Sequence, residues 1–192
     1  MQDRIIQVAA REIQTKGLKF TMAELARQAG VSTKTLYGYY TSKEQLIEEI
    51  IVQTLKEMQE KEKEIMGQEE IDLAEKLRQV LVHVPNGFGN THPLLWQELK
   101  RYYPEQWKLV EDCLEEGWDN VRSLLEKGME QGQFERVSIP VFLQMYIAAI
   151  KQLMDRQFVA AINMTVSDAL DAMVEILLHG IVRRHTATNE EE

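Results

Sequence analysis

Apolar side chains recur every three or four residues along most of this chain, and charged or polar residues occupy the positions between them. This spacing puts the apolar residues on one face of a helix, whereas a strand alternates at every second residue. Glycines fall where such stretches end, and the chain has only four prolines. The pattern therefore predicts an all-α fold, with no internal repeat.

Four helices are predicted in the first third of the chain. The first ends near Gly17. The second begins at Thr21, because residues 21–24 form a capping box, in which a hydroxyl and a carboxylate satisfy each other's backbone N–H groups. The third runs from Ser32 to about Tyr39. The fourth begins at another capping box, residues 42–45, and continues to Gly67, which gives it a length of roughly 36 Å at ~1.5 Å per residue.

The remaining two thirds also follow a helical pattern, interrupted by turn-rich segments. Residues 85–93, PNGFGNTHP, predict such an interruption, and residues 185–192 are predicted to be disordered. We expect helices at residues 73–84, 94–102, 105–131, 141–162 and 165–182.

The composition indicates a globular protein of the reducing cell interior. The chain is 44% hydrophobic and 28% charged. Cys113 is its one cysteine, which excludes an intramolecular disulfide framework and a multi-cysteine metal cluster. No apolar run is long enough to span a bilayer, and the N-terminus lacks the pattern of a signal peptide. We expect a cytoplasmic protein with no membrane partner.

The net charge of −9 is unevenly distributed. Residues 1–47 contain seven Lys or Arg and four Asp or Glu, a balance of +3, and the rest of the chain carries −12. A polyanion would therefore bind to the first 47 residues and not to the acidic remainder of the chain.

The second and third helices, joined by a tight turn at Gly30, predict a helix-turn-helix. In such a unit the second of the two helices enters the major groove of DNA. Helical spacing directs Leu36 and Tyr40 inward and Thr33, Lys34 and Tyr37 outward, with Thr35 and Tyr39 at the edges. Hydroxyl, phenol and ammonium groups bind phosphate oxygens, and Gly38 leaves room for close approach. Ser32, which caps the third helix, and Lys43, in the first turn of the fourth, complete this set.

The stretch TMAELARQAGVSTKTLYGYYTSKEQL resembles the DNA-binding signature of the tetracycline-repressor (TetR) family of bacterial transcriptional regulators. The resemblance covers residues 5 to 51. By position it implies phosphate contacts at Thr21, Tyr37 and Lys43, and base or adjacent backbone contacts at Thr33, Lys34, Thr35 and Tyr39. Two features depart from the family pattern. Ile13-Gln14 stands where an aromatic residue is common, so we expect Phe20 to fill the hole, and Ala23 has no polar group for a base contact.

The resemblance implies an architecture of about nine helices in two domains. Residues 1–47 are then a three-helix DNA-binding domain, and residues 48–184 an effector-binding and dimerisation domain joined to it by the long helix. The implied function is that of a homodimer on a palindromic operator in double-stranded DNA. Most family members are repressors released by a small ligand, here expected to be lipophilic or aromatic; activation remains an alternative.

Two apolar faces near the C-terminus predict the dimer interface, as half of a four-helix bundle. The alternative is that they only close the core of one protomer. The interface residues expected are Tyr146, Ile150, Leu153, Met154, Met173, Ile176, Leu177, Gly180 and Ile181.

Aromatic and apolar residues on the middle helices are candidates for the effector pocket, or else plain core. They are Trp96, Leu99, Tyr102, Trp107, Val110, Cys113, Leu114 and Trp118. His83 and His92 flank the glycine-rich part of the turn-rich segment, but no carboxylate or thiol stands at a metal-ligand spacing, so we expect no metal and no cofactor.

Two other classes of function compete with a DNA-binding regulator. An enzyme is disfavoured because the sequence has no nucleophile elbow, phosphate loop or paired zinc motif, so no catalytic residues are expected. A helical protein-interaction module remains an alternative, because nine methionines could line an adaptable apolar surface.

Overall fold

The computed structural model describes residues 1–83 and 94–182, which form eleven α-helices and one short 3-10 turn. The predicted all-α class is confirmed; the single β-bridge among the described residues joins Phe134 and Val182. None of the helices described is long and apolar enough to cross a membrane. The elements are α1 (Gln2–Lys16), the 3-10 turn (Gly17–Lys19), α2 (Met22–Gln28), α3 (Thr33–Tyr39), α4 (Lys43–Met66), α5 (Leu73–Val82), α6 (Leu95–Tyr102), α7 (Pro104–Glu115), α8 (Asp119–Glu130), α9 (Ile139–Leu153), α10 (Arg156–Ile162) and α11 (Val166–His179).

The predicted caps begin the N-terminal helices. The Thr21 hydroxyl accepts from Glu24 N (3.2 Å), and the Glu24 carboxylate accepts from Thr21 N (2.8 Å), so both halves of the first capping box are present. The second box differs in one partner. Ser42 Oγ accepts from Gln45 N as expected, but Gln45 Oε1 accepts from Thr41 N (2.7 Å) instead of Ser42 N.

Two predicted long helices are each divided, which gives eleven helices in the described residues where about nine were expected. The helix expected at residues 105–131 breaks into α7 and α8 because Gly117 adopts a positive φ of 85°, which ends the first segment. The helix expected at residues 141–162 breaks into α9 and α10. Its second part begins where the Asp155 carboxylate accepts from Gln157 N (2.7 Å) and caps a new helix.

Two apolar clusters organise the molecule. The first occupies residues 1–47, which we call the head, and contains the predicted inward residues Leu25, Leu36 and Tyr40. The second lies among α5, α8, α9 and α11, within residues 48–83 and 94–182, which we call the body. Phe20 is 2% exposed and belongs to the same head cluster as Ile13.

One body helix crosses between the two clusters. Leu95 and Leu99 of α6 are buried in the head cluster, and α6 packs against the 3-10 turn at residues 17–19. The predicted domain boundary at residue 47 therefore does not separate all the contacts of the head from those of the body. The predicted turn-rich segment at 85–93 and the predicted tail at 185–192 lie outside the described residues.

Candidate nucleic-acid interface and internal cavity

The outward face of α3 carries most of the candidate DNA-binding residues. Leu36 is fully buried and anchors the helix on the head cluster. Tyr37 is 47% and Tyr39 43% exposed, and Thr33 and Lys34 are exposed beside them. This arrangement follows from a period of 3.6 residues in a seven-residue helix with one apolar anchor. It gives phenol, hydroxyl and ammonium groups a common solvent-facing surface.

The other candidate hydroxyls on the head hold helix N-termini. Ser32 Oγ accepts from Thr35 N (3.0 Å) and pairs with Thr35 Oγ1 at 2.7 Å. Thr21 is committed to its capping box with Glu24, whose pKa is lowered by hydrogen bonds from the Thr21 backbone and hydroxyl. Thr21, Ser32 and Thr35 are all exposed, so the Thr21 and Ser32 hydroxyls lie at the surface while each accepts from a backbone N–H group.

Lys43 takes a different position from the one expected. Its Nζ donates to the carbonyl oxygens of Leu18 and Phe20 and lies 4.1 Å from the centre of the Phe20 ring. Burial lowers the pKa of this ammonium group. In this structure the side chain therefore fastens the turn after α1 to the start of α4, and its expected phosphate contact stays a prediction.

The same turn is held from the body by Glu98 of α6. This carboxylate is 6% exposed, and its Oε2 accepts from Leu18 N at 2.8 Å. The Lys19 ammonium lies 3.7 Å from Oε1 and supplies a positive charge nearby. The segment 17–20 thus receives one hydrogen bond from α6 and two from α4. Sequence reasoning missed Glu98, because a glutamate on an amphipathic helix is normally solvent-exposed.

A cavity of about 290 Å³ lies between the head and the body. Six of the eight predicted effector residues line it: Trp96, Leu99, Val110, Cys113, Leu114 and Trp118. The other two predicted residues do not line it. Tyr102 is 61% exposed at the end of α6, and Trp107 packs against the two apolar clusters instead of lining the cavity.

The longest wall of the cavity is a face of α4 that the prediction did not assign to it. Its residues are spaced by three or four positions and are mostly apolar: Ile47, Ile50, Ile51, Thr54, Leu55, Met58, Gln59 and Glu62. The sequence did contain a signal for this wall, because the apolar stripe of α4 continues beyond the head. A helix that served only as a linker there would need no apolar face. Helices α1, α5 and α9 close the ends with Ile13, Val80 and Tyr146 among others.

The polar groups of the body end of the cavity are acidic or neutral. Glu62 accepts from Asn120 Nδ2 at 3.0 Å, and Glu116 lines the wall two positions before Trp118. Burial lowers the pKa of His83, and burial together with the Glu62 charge raises the pKa of the Cys113 thiol. No group of three or more potential metal ligands occurs among the described residues; His92 lies outside them.

The predicted dimer surface needs correction. Five of its residues are buried inside the chain itself: Tyr146, Ile150, Leu153, Met154 and Ile181. Tyr146, for example, donates its hydroxyl to Leu81 O at 2.5 Å within the body core. Helical spacing indicated an apolar face but not what it packs against. Ile176 is 73% exposed, Gly180 is exposed, and Met173 and Leu177 are half-buried, so these four remain available to a partner.

Two residues that the prediction did not include extend this available surface. Val141 and Met145, four positions apart on α9, are 57% and 56% exposed. They lie on the side of α9 opposite its buried residues Leu143, Ile147 and Ile150.

Comparison with known proteins identifies relatives of both head and body. Residues 5–50 match the family described as bacterial regulatory proteins, tetR family. Over 181 residues, 94% of this chain and 95% of the other, the chain is 34% identical to YvaF, an uncharacterised HTH-type transcriptional regulator of Bacillus subtilis (strain 168).

Solved structures share the fold over nearly the whole chain. The TetR family transcriptional regulator PfmR of Thermus thermophilus is 25% identical, with 94% of this chain and all of that one covered and a TM-score of 0.67. The transcriptional regulator FadR of Bacillus subtilis, solved in complex with stearoyl-CoA, is 21% identical, with 94% and 99% covered and a TM-score of 0.64.

Proposed function

Because this chain belongs to the TetR family and is a DNA-binding transcriptional regulator, we propose that it acts as a dimeric repressor whose release from a palindromic operator is caused by a small apolar effector. The observation that carries the proposal is the exposed face of α3. There, Tyr37 and Tyr39 stand in solvent beside Lys34 on a helix held by one buried leucine.

The operator contacts are proposed as follows. Thr33, Lys34, Thr35 and Tyr39 meet base edges or the adjacent backbone in the major groove, and Tyr37 donates to a phosphate. The capping residues Thr21 and Ser32 lie at the N-termini of α2 and α3, where backbone N–H groups and the helix dipole favour an anion. Lys43 supports these contacts by holding the turn at residues 17–20 in place, and its positive charge attracts DNA phosphates.

Dimerisation is proposed through the exposed sides of α9 and α11. One helix-turn-helix makes few phosphate contacts, and two copies on a two-fold axis match two half-sites ~34–36 Å apart. The surface consists of Val141 and Met145 together with Met173, Ile176 and Leu177, with the small residue Gly180 permitting close approach.

The route from effector to operator is proposed to run through the turn at residues 17–20. Leu18 lines the cavity with its side chain while its N–H group is held by Glu98 and its carbonyl by Lys43. An effector that displaces Leu18 or Leu99 would shift this turn and the start of α4, and with them the angle of the head. Release follows if the effector binds the displaced arrangement more tightly.

An apolar chain is the effector shape favoured here. The cavity walls are mostly Ile, Leu, Met and Trp side chains, and FadR of Bacillus subtilis, which shares the fold, was solved with stearoyl-CoA. A helical interaction module is the weaker alternative, because that function does not explain why α3 exposes so many hydroxyl groups. The family is one of transcriptional regulators, which gives no support to an enzyme.

The test is fluorescence anisotropy of the purified protein on duplex DNA from around its own gene, with excess non-specific competitor and a salt series. We expect saturation at two protomers per site and a steep loss of affinity with salt, since counterions are released from phosphate. Tyr37→Phe, which removes one exposed phenol, should weaken binding, whereas Tyr102→Phe, the same change at an exposed body residue, should not. Equal affinity for Tyr37→Phe, or no palindrome enriched from random DNA, would overturn the proposal.

A further inference from the structure

The cavity has a length and a distribution of charge that point to a particular class of effector. Its α4 wall extends from Ile47 to Glu62, which at ~1.5 Å per residue is roughly 22 Å. Its volume of about 290 Å³ is just below the ~300–1,000 Å³ typical of ligand pockets. A mostly apolar wall of that length suits an extended apolar chain.

The ends of the cavity differ in polarity. At the head end the walls are Ala10, Ile13 and Leu18, with Gln14 as the polar residue. At the body end Glu62, Glu116 and His83 line the cavity, so both of its carboxylates lie there. The described lining contains neither Lys nor Arg, and residues 84–93 have none in their sequence.

Groups near the body end do not cancel this negative charge. Lys61 is close enough to lower the pKa of His83, but its own ammonium is paired with Glu64 at 2.8 Å and does not line the cavity. Asn120 donates one hydrogen bond to Glu62 and carries no charge. The two carboxylates therefore give the body end a negative potential, which would repel a carboxylate or phosphate group of a ligand.

Aromatic residues at the same end add a second preference for a cation. Trp118 follows Glu116 and Gly117 in the wall, and its ring lies edge-on to Tyr146 at 5.3 Å between centroids. The indole N–H is directed to Leu114 O at 2.9 Å, so the ring is fixed in position. Indole faces attract ammonium groups, and the half-buried Trp118 stands next to the exposed Glu116 in the wall.

From this arrangement we propose that the effector is a cationic amphiphile, with an unbranched apolar chain lying along α4 and an ammonium group beside Glu62, Glu116 and Trp118. The inference rests on the proposed function and narrows it. It also separates this protein from a regulator that responds to acyl-CoA, since the phosphates of coenzyme A would find no basic residue in the described walls.

The test is isothermal titration calorimetry on the full-length protein, with straight-chain primary alkylamines below their micelle concentrations. Octylamine, decylamine and dodecylamine should bind with increasing affinity, by about 4-fold for each CH₂ that enters the cavity. Dodecylamine should bind more tightly than dodecanol, dodecanoate or lauroyl-CoA. Fluorescence of Trp96 and Trp118, which line the cavity, should change during the same titration.

Substitutions distinguish the contribution of the ligand's ammonium group to affinity from the contribution of its apolar chain. Glu62→Gln should weaken dodecylamine binding by about 10- to 150-fold, the range for loss of a hydrogen bond to a charged group, while dodecanol binding changes by less than about 2-fold. Glu60→Gln is the matched control, since Glu60 is on the same helix and exposed outside the cavity. It should leave both ligands unchanged.

Three results would overturn the inference: affinity independent of chain length, dodecanoate or lauroyl-CoA binding as tightly as dodecylamine, or Glu62→Gln weakening dodecanol equally. If any of these occurs while the unmodified protein still binds its operator, the effector class is wrong and the regulator stands. If the unmodified protein selects no operator, the proposed function itself fails.

Discussion

Replacing Glu98 tests whether the body truly holds the turn beneath the DNA-binding head. The Glu98 carboxylate is 6% exposed and accepts from Leu18 N, an amide 80 positions away in sequence. Glu98→Ala leaves that N–H group buried without this acceptor, which costs about 1–3 kcal/mol. For a chain of this size, each kcal/mol lowers Tm by roughly 2–4 °C.

Glu98→Gln is the matched variant because it keeps an oxygen that can accept from Leu18 N. It loses the charge that acts on the Lys43 ammonium and the charge opposite Lys19, whose side chain is 71% exposed. Ion pairs of that kind contribute about 0–1 kcal/mol. We therefore expect Glu98→Gln to stay within about 1 kcal/mol of the unmodified protein and to be clearly more stable than Glu98→Ala.

The assay is urea denaturation at one fixed protomer concentration, because the stability of a dimer depends on concentration. Hydrogen exchange at the Leu18 amide supplies the local measurement, and it should be faster in Glu98→Ala than in Glu98→Gln. Operator affinity should fall in the same order, since the Leu18 and Phe20 carbonyls position Lys43. Equal stability for the two variants, or a Leu18 amide that exchanges at the same rate in both, would refute the reasoning.

Three further expectations concern other parts of the molecule. Gly38→Ala should raise the free energy of unfolding by roughly 0.5–1 kcal/mol through helix propensity, since an added Cβ meets no protein atom within 4 Å. It should also weaken operator binding, and unchanged affinity would mean that DNA does not approach Gly38. Ile176→Asp should produce monomers in sedimentation experiments because this residue is 73% exposed on the proposed interface; Val52→Asp, on an exposed side of α4, should not, and a dimer in both would contradict the assigned surface. Hydrogen bonds from Arg78 and Gln79 lower the pKa of Glu75 to about 2 from 4.5, so its stabilising effect is complete above pH 4.5 and disappears as the pH falls toward 2. Denaturation of Glu75→Gln should show a loss below about 1 kcal/mol at neutral pH that vanishes in acid, and a loss that persists in acid would exclude this cause.

The head could be predicted residue by residue because its structure depends on contacts close in sequence. Capping at Thr21 and Ser32 joins groups three positions apart, and one period of α3 separates buried Leu36 from exposed Tyr37. Local hydrogen bonds and side-chain periodicity are sufficient for such features. The same local signals also predicted six of the residues that line the cavity.

The breaks in the long helices depended on weaker local signals. Gly117 and Asp155 could each have been tolerated inside a continuous helix, and it is the positive φ of one and the capping bond of the other that end α7 and begin α10. Both residue types are recognised helix-boundary residues, so a closer reading of these positions could have found the breaks.

Taken alone, the sequence determined the all-α class, the helix-turn-helix, the outward face of α3 and the net positive charge of the head. Tertiary structure decided what each apolar face packs against: Tyr146 and Ile150 lie in the core of the chain, while Val141 and Ile176 stay exposed. It also brought Glu98 to Leu18 and placed one side of α4 along a cavity. The reason is that helical periodicity records only which side of a helix avoids water. Whether another helix, a ligand or a second chain covers that side depends on contacts between residues far apart in sequence.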